Sequence, residues 1–305
     1  MILHKTLSIP GLGSEGMEIP YFEIVGEKEG PTLTLVAGVH GAEYASIAAV
    51  REFATSINPA EVSGKIVAVP ILNLTSFWAR SAFVVPVDGK NLNRTFPGNA
   101  EGSFTEILAH HIFQTFIKGS DFLVDLHAGD IPEALEPFAM FEESAVEAGS
   151  LLLAKAYGLK HVVRQSSAVR TVAGSTCAAA ADIGIPAIIA ESGQNGILTS
   201  ESIAIHVAGL TNLARSVGVL SGEAIVHSQV VVHEGWNWLR AHSAGWWTPL
   251  IQTGNRVQAG EIVGTLHTIL GELIEEIRTP EAGVVLFQTS SPAVSVDGIL
   301  MGIAR

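Results

Sequence analysis

The sequence predicts an α/β sandwich with a mixed, mainly parallel sheet, followed by a small all-β domain. Three observations carry that expectation. Over the first two thirds of the chain, short continuous apolar runs alternate with segments of helical spacing; runs of that kind mark strands buried on both faces. Strand–helix–strand order then repeats, as it does where crossover helices join parallel strands. After about Val226 the texture changes to Gly-punctuated, β-rich segments, with turn signals about every 8 to 12 residues.

The first expected strand is Thr32 to Val39 (TLTLVAGV), an apolar run that closes on a Gly-Val pair, and Ala45 to Ile57 follows as a helix. Lys65 to Leu72 (KIVAVPIL) is the second strand. Ser103 and Glu106 (S-F-T-E) form a capping box, which opens a helix running to about Ile117. Phe122 to Leu126 (FLVDL) is the third strand, Leu151 to Tyr157 another helix, and Ala187 to Ala190 (AIIA) a further strand. The composition shift divides the chain into residues 1–225 and 226–305, with no long linker between them.

The chain has 305 residues, 48% of them apolar and only 15% charged, which excludes disorder and fibrous folds. A single cysteine, Cys177, rules out an intramolecular disulfide and any Cys-rich zinc cluster. Seventeen Lys and Arg against 30 Asp and Glu leave a formal charge of −13. Such a surface repels phosphate backbones and anionic lipid, so neither nucleic acid nor membrane is expected as a partner. A small anionic substrate is still allowed, because local cations in a pocket outweigh net charge. The first residues show no secretory pattern and no apolar run reaches membrane-spanning length; a cytoplasmic location is expected. A homo-oligomer is compatible with the composition.

The chemistry is concentrated at predicted strand ends, where α/β folds place their sites. His40 and Glu43, in G-V-H-G-A-E, sit just past the first strand. Imidazole nitrogen and carboxylate oxygen ligate zinc at about 2 Å, and a catalytic zinc needs three protein ligands and an open position. His127, directly after FLVDL, supplies the third, with Asp125 available to orient an imidazole. Glu191, in A-E-S-G, follows another apolar run; a carboxylate there can take a proton from water and pass it to a leaving amine. The loop DGKNLNRTFPG carries Asn93 and Arg94 side by side, an amide and a guanidinium able to clamp a carboxylate or an oxyanion. His110 and His111 are adjacent on a helix and cannot face one metal together. His161, His206, His227, His233, His242 and His267 have no ligand-like companions in sequence, and Cys177 is expected to be buried and inert.

HGAE, NLNRTFPG, DLHAG and the late Glu-x-Gly, in that order, resemble the succinylglutamate desuccinylase/aspartoacylase family over roughly residues 30–200; GSTCAAAADIGIPAIIAESG is similar to the segment that leads into its catalytic Glu. The resemblance implies a carboxypeptidase A-like fold. It also implies one zinc per subunit on His40, Glu43 and His127, Glu191 as general base and acid, and Asn93 with Arg94 on the substrate. Family members place a further arginine upstream of NLNR to polarise the scissile carbonyl, and Arg80 is the one available here. Ser192 stands where many relatives have an apolar residue. The C-terminal part is similar to a lipoyl- or biotinyl-type barrel-sandwich hybrid, but its turn Leu270–Ile274 has no lysine, which excludes a covalent carrier role. Trp236, Trp238, Trp246 and Trp247 are expected to pack this domain or an interface, the alternative being to line the mouth of the zinc site, which the β domain is expected to narrow.

The function implied is zinc-dependent hydrolysis of the amide bond of a small N-acyl amino acid or related N-acylated amine. N-acetyl-diaminobutyrate is the branch that HGAEY, DGKNLNRTFPG and ESG resemble. The alternatives are a metallocarboxypeptidase acting on peptides, which would use the same metal set, and a non-catalytic metal-binding module. A closed four-ligand site would mark the last.

Overall fold

The computed structural model describes residues 1–13, 16–166 and 173–305. In chain order its first part runs β1 (Ile2–Ile9), β2 (Met17–Val25), β3 (Lys28–Ala37), α1 (Tyr44–Ser56), β4 (Ser63–Val69), α2 (Leu74–Ala79), α3 (Phe104–Ile112), β5 (Phe122–His127) and β6 (Glu133–Leu135). It continues through β7 (Phe138–Glu142), α4 (Glu147–Tyr157), β8 (His161–Gln165), α5 (Thr176–Asp182), β9 (Ala187–Glu191), α6 (Ser200–Ser216) and β10 (Val231–His233). Nine of these strands form one sheet in the order β1-β2-β4-β3-β5-β9-β7-β8-β10. Its centre is parallel at β4-β3-β5-β9, with antiparallel pairs at β1-β2, β2-β4 and β9-β7.

Strand alternation divides the core into two layers. Leu33, Leu35, Val124, Leu126, Ile188 and Ala190 face the layer packed by α1, α4 and α6. Val36, Leu123, Ala187 and Ile189 face the other, packed by α3 and α5. Side chains two apart on a strand share a face, so Asp125 and His127 lie on the second side with Leu123, and Glu191 with Ile189. All the central strands are buried on both faces, which accounts for the unbroken apolar runs read from the sequence.

Local chemistry sets the element ends. The strand expected to reach Leu72 stops at Val69, where Pro70 has no N–H to give. Leu72 and Asn73 instead donate to the carbonyls of Ala37 and Gly38. The Ser103 N–H donates to Glu106 Oε2 at 2.7 Å, so the carboxylate half of the expected box forms. The helix expected to run to Ile117 is α-helical only to Ile112. Phe113–Ile117 then form one wider π turn, closed by the Lys118 N–H on the Phe113 carbonyl, and Phe113, Phe116 and Ile117 stay buried.

The second part comprises β11 (Trp236–Arg240), β12 (Gly245–Pro249), β13 (Arg256–Val257), β14 (Ile262–His267), β15 (Leu273–Arg278), β16 (Gly283–Thr289), β17 (Ala293–Val294) and β18 (Ile299–Ala304). These make two antiparallel sheets, β11-β18-β16-β13 and β15-β14-β12-β17, around a core of its own that includes Trp247, Leu266, Val285 and Ile303. Two strands cross between the parts. β10, beyond residue 226, pairs parallel with β8 in the large sheet, and β6 pairs with β16 through Leu135↔Phe287, Ala134↔Gln288 and Glu133↔Thr289. Among the described residues no helix is long and apolar enough to cross a membrane.

One close approach fixes the loop after β3. Gly41 packs on the backbone of α2, and a Cβ there would lie 2.1 Å from Phe77 N and 2.4 Å from Ser76 C. Gly41→Ala must therefore displace α2 or the loop. Overpacking of this kind costs about 1–3 kcal/mol, and a lower denaturation midpoint in urea is the expected result; an unchanged midpoint would show that the contact yields freely.

Candidate active site

The ends of β3, β5 and β9 open on one side of the sheet, and the residues beyond them meet in a cavity of about 690 Å³. His40 lies in the loop after β3. Its position is held by Asn73, which caps α2 by accepting from the Ser76 N–H (3.1 Å) and donates to the Val39 carbonyl (3.1 Å). The Gly41 N–H donates to Ser76 Oγ at 3.1 Å. Glu43 is the residue before α1, and His127 ends β5.

His40, Glu43 and His127 are all buried, and one ligand atom from each lies within 4.8 Å of the others. Glu43 Oε1 is 2.6 Å from His40 Nδ1, and Oε2 is 2.9 Å from His127 Nδ1. The opposite ring nitrogens are engaged elsewhere: His40 Nε2–H donates to Asn91 Oδ1 (3.1 Å) and His127 Nε2–H to Asp125 Oδ2 (3.0 Å). With Nε2–H engaged in this way, each ring presents Nδ1 to the carboxylate, and Nδ1 is the atom it offers a metal once the ring is neutral. Two lone pairs and a carboxylate around one buried point repel each other unless a cation lies between them. The donor set therefore fits a divalent metal, with three protein ligands and a side open to the cavity.

When the rings are protonated instead, their own charge answers the same carboxylate. Burial pushes Glu43 up, but the charges and hydrogen bonds of His127 and His40 outweigh it and hold the carboxyl at about 2. Burial pulls His127 down, yet Asp125 and Glu43 together carry it well above the ordinary histidine range. Asp125 is fully buried and also accepts from Thr176 Oγ1; its Oδ1 has no partner among the described residues.

Glu191 ends β9 and stands directly opposite His127 in the β5/β9 register. Its Oε2 is buried without a hydrogen-bond partner. Burial, reinforced by Glu43, Glu133 and Asp125 against the pull of His127, lifts its carboxyl well above the usual range. The NLNR loop reaches the same cavity. Asn93 Oδ1 accepts from the Thr176 N–H (3.1 Å) while its Nδ2 lies 3.2 Å from His127 Nε2, and Arg94 donates to the Asn93 carbonyl (2.7 Å) and lines the cavity. His40, Glu43, Asn93, Arg94, His127 and Glu191 are thus brought together. Arg80 is not: it caps α2 in the left-handed region (φ 54°), is exposed and does not line the cavity.

Several contributors have no counterpart among the sequence-derived candidates. Asn91 does two things at once, accepting from His40 and from the Asn93 N–H (2.8 Å). Phe83 is held at φ 60° by its N–H on Asp130 Oδ2 (2.8 Å), and its ring stands edge-on to His40. His206 is buried, accepts from Tyr157 Oη at Nδ1 (2.6 Å) and donates from Nε2 to the carbonyls of His127 and Ser192, which ties the ends of β5 and β9 together. The second part supplies a wall through Trp238, Arg240, Phe287 and Thr289, with Trp236 stacked on Trp238. Of these, Asn91 left a signal as the first Asn of N-L-N-R, and the wall left one in the Trp-rich start of the second part.

Residues 29–217 match the family model described as the succinylglutamate desuccinylase/aspartoacylase catalytic domain. The chain belongs to that family. Its members are metal-dependent deacylases, and the nine-stranded mixed sheet with antiparallel C-terminal sheets is their architecture. Among similar proteins is an N-alpha-acetyl-L-2,4-diaminobutyric acid deacetylase of Halomonas elongata, 27% identical over 92% of this chain and 84% of the relative. The product-bound ectoine utilization protein EutE (DoeB) of Ruegeria pomeroyi is 25% identical, with a TM-score of 0.90 over 99% of this chain and 95% of that one. A succinylglutamate desuccinylase/aspartoacylase structure from Rhodobacter sphaeroides superposes with a TM-score of 0.87 at 23% identity, over 100% of this chain and 95% of that one.

If Asp125 orients His127, Asp125→Asn keeps the shape of the side chain and loses the charge. Loss of such a partner lowers metal affinity by about 10- to 100-fold. Competition against a chelator, with zinc as the probe ion, measures it; an unchanged affinity would remove Asp125 from that role.

Proposed function

We propose that the protein is a deacylase with one zinc ion per subunit, held by His40, Glu43 and His127, and that it hydrolyses the amide bond of a small N-acyl amino acid or related N-acylated amine, N-acetyl-diaminobutyrate among them. The observation that carries this is Glu191, which lines the same cavity in register beside His127 and whose buried Oε2 has no partner among the described residues. Zinc, when bound, supplies the Lewis acidity that acidifies a water and polarises the acyl carbonyl. Glu191 takes the proton released as the water attacks, and returns it to the departing amine. A carboxyl raised by burial is suited to both halves of that transfer, since it holds a proton without giving up the ability to lose one. Arg94 and Asn93 hold the substrate carboxylate or the developing oxyanion, Arg94 through a guanidinium anchored by one donor to the backbone and lining the cavity within reach of the charges of Glu133 and Glu142. Arg80 has no part in it. The setting is the cytoplasm expected from the sequence.

The peptidase alternative is disfavoured by the cavity itself. About 690 Å³ is a small-molecule volume, and β11, β16 and the segment leading to β18 form part of its wall. The non-catalytic alternative is disfavoured by the number of ligands, three where a structural site is closed by four.

Glu191→Gln should bind zinc stoichiometrically and lose about 10²–10⁴-fold in kcat on N-acetyl amino acids; turnover within about threefold of wild type would sink the assignment. Arg94→Lys keeps the charge but not the planar fork, so kcat/KM should fall by about tenfold or more. Wild type should process acetylated amino acids far better than tripeptides. Efficient cleavage of long peptides, with Arg94→Lys indifferent, would favour the peptidase.

A further inference from the structure

The reaction machinery leaves one carboxylate in the cavity without a task. Glu43 is matched by two imidazoles, and Glu191 carries the proton in transit. Glu133 also lines the cavity, at the first residue of β6, and has neither task. Its main chain is fixed on every side. Its N–H donates to the Asp130 carbonyl (2.8 Å), its carbonyl accepts from the Asn195 N–H (2.7 Å), and Thr289 of β16 stands opposite it. The carboxylate accepts one hydrogen bond, from the Asp130 N–H to Oε2 at 2.9 Å. Among the described residues no other donor reaches it, and no Lys, Arg or His nitrogen comes within the 4.0 Å of an ion pair. Arg94 shares the cavity but spends its short hydrogen bond on the Asn93 carbonyl.

We infer that Glu133 is the specificity-determining residue of this site, receiving a free ammonium on the amine half of the substrate, and that the preferred substrate is an N-acylated diamino acid. The assignment rests on the deacylase function proposed above and sharpens its substrate class. An acylated diamino acid brings one carboxylate and one ammonium, which pair by sign with Arg94 and Glu133; the other guanidinium of the cavity wall, Arg240, donates to the Asp297 carbonyl. A second substrate carboxylate, as in an acylated aspartate or glutamate, would meet Glu133 as a like charge at close range and is rejected. A neutral side chain of the same length would strip water from Glu133 and return nothing for it. The carboxyl is pushed up to about 7 by burial and by the charge of Glu43; Arg94 and Glu133 interact through their charges, and this does not offset the burial.

The test compares three acetylated amino acids on zinc-loaded enzyme: Nα-acetyl-2,4-diaminobutyrate, its uncharged isostere Nα-acetylnorvaline, and N-acetylaspartate. Wild type should prefer the first over the second by about 10- to 100-fold in kcat/KM, the worth of a charge-assisted pair, with the difference in KM. Glu133→Gln should flatten that preference by weakening the cationic substrate without lowering kcat/KM for Nα-acetylnorvaline, and should improve N-acetylaspartate. Glu133→Asp, which keeps the charge, guards against a folding defect in the amide and should retain part of the preference. Calorimetry with free 2,4-diaminobutyrate and free norvaline gives the same contrast without turnover. Equal use of the cationic and neutral substrates by wild type overturns the inference alone. A loss of kcat on all three substrates alike in Glu133→Gln overturns it too, since the residue would then serve the chemistry or the fold. Failure of wild type to hydrolyse any of the three brings down the deacylase function itself, and the inference with it.

Discussion

Glu43 divides its carboxylate between two imidazoles, one oxygen to each, in a place where water cannot help. A buried anion in that position has to be answered by positive charge, and most of the surrounding structure can be understood as keeping the answer in one place. The two rings must show their Nδ1 edges, so something must hold each Nε2–H; Asn91 does it for His40 and Asp125 for His127. Asp125 must itself be held, and Thr176 at the start of α5 does so. The chain before Glu43 must turn tightly against α2, which leaves space only for a glycine at position 41. Each requirement is short-ranged, yet together they engage β3, β5, α1, α2, α5 and the NLNR loop.

The sheet supplies what these local contacts cannot, namely a fixed spacing between the metal-binding triad and Glu191, the proposed proton carrier. Parallel pairing of β5 with β9 sets His127 directly opposite Glu191, and strand alternation puts both on the face away from α1 and α6. A shift of one residue in that register would send Glu191 to the other layer. The apolar partners Leu126 and Ala190, buried on the helix side, lock the pairing by packing and thereby position two polar groups they never touch. His206 adds a polar clamp on the same two strand ends.

That division explains what was legible in the sequence. The metal ligands and Glu191 could be read because each stands just past an apolar run, and the run announces both the strand and its end. The fold class followed from the same runs. The Asp125–His127 pair could be anticipated as soon as strand alternation was granted, since residues two apart face the same way. Arg80 shows the limit. Its distance from NLNR says nothing about direction, and at the end of α2 the chain turns left-handed and leaves the side chain outside. Phe83, Glu133 and His206 were illegible for a different reason: their roles arise from a strained turn, a strand pairing and a helix packing that bring together residues far apart in the chain. The π turn at Phe113–Ile117 belongs with them, because helical periodicity alone does not distinguish a wider turn that buries the same aromatic residues.

The pairing of β6 with β16 has a consequence for how this site can discriminate. Glu133 begins β6, and the strand it meets carries Phe287 and Thr289 into the cavity wall. The residue that sets the charge of the cavity and the residues that set its width therefore share one hydrogen-bonded ladder. Neither can shift alone: a movement of the C-terminal sheets that widened the cavity would also pull on the backbone of Glu133, which Asn195 and Asp130 hold from the catalytic side. An acidic chain with a formal charge of −13 has no general attraction for anionic substrates, so discrimination has to be made at short range by such fixed groups. Size and charge are then selected by one rigid element, and the C-terminal domain contributes to specificity without supplying any of the groups that do the chemistry.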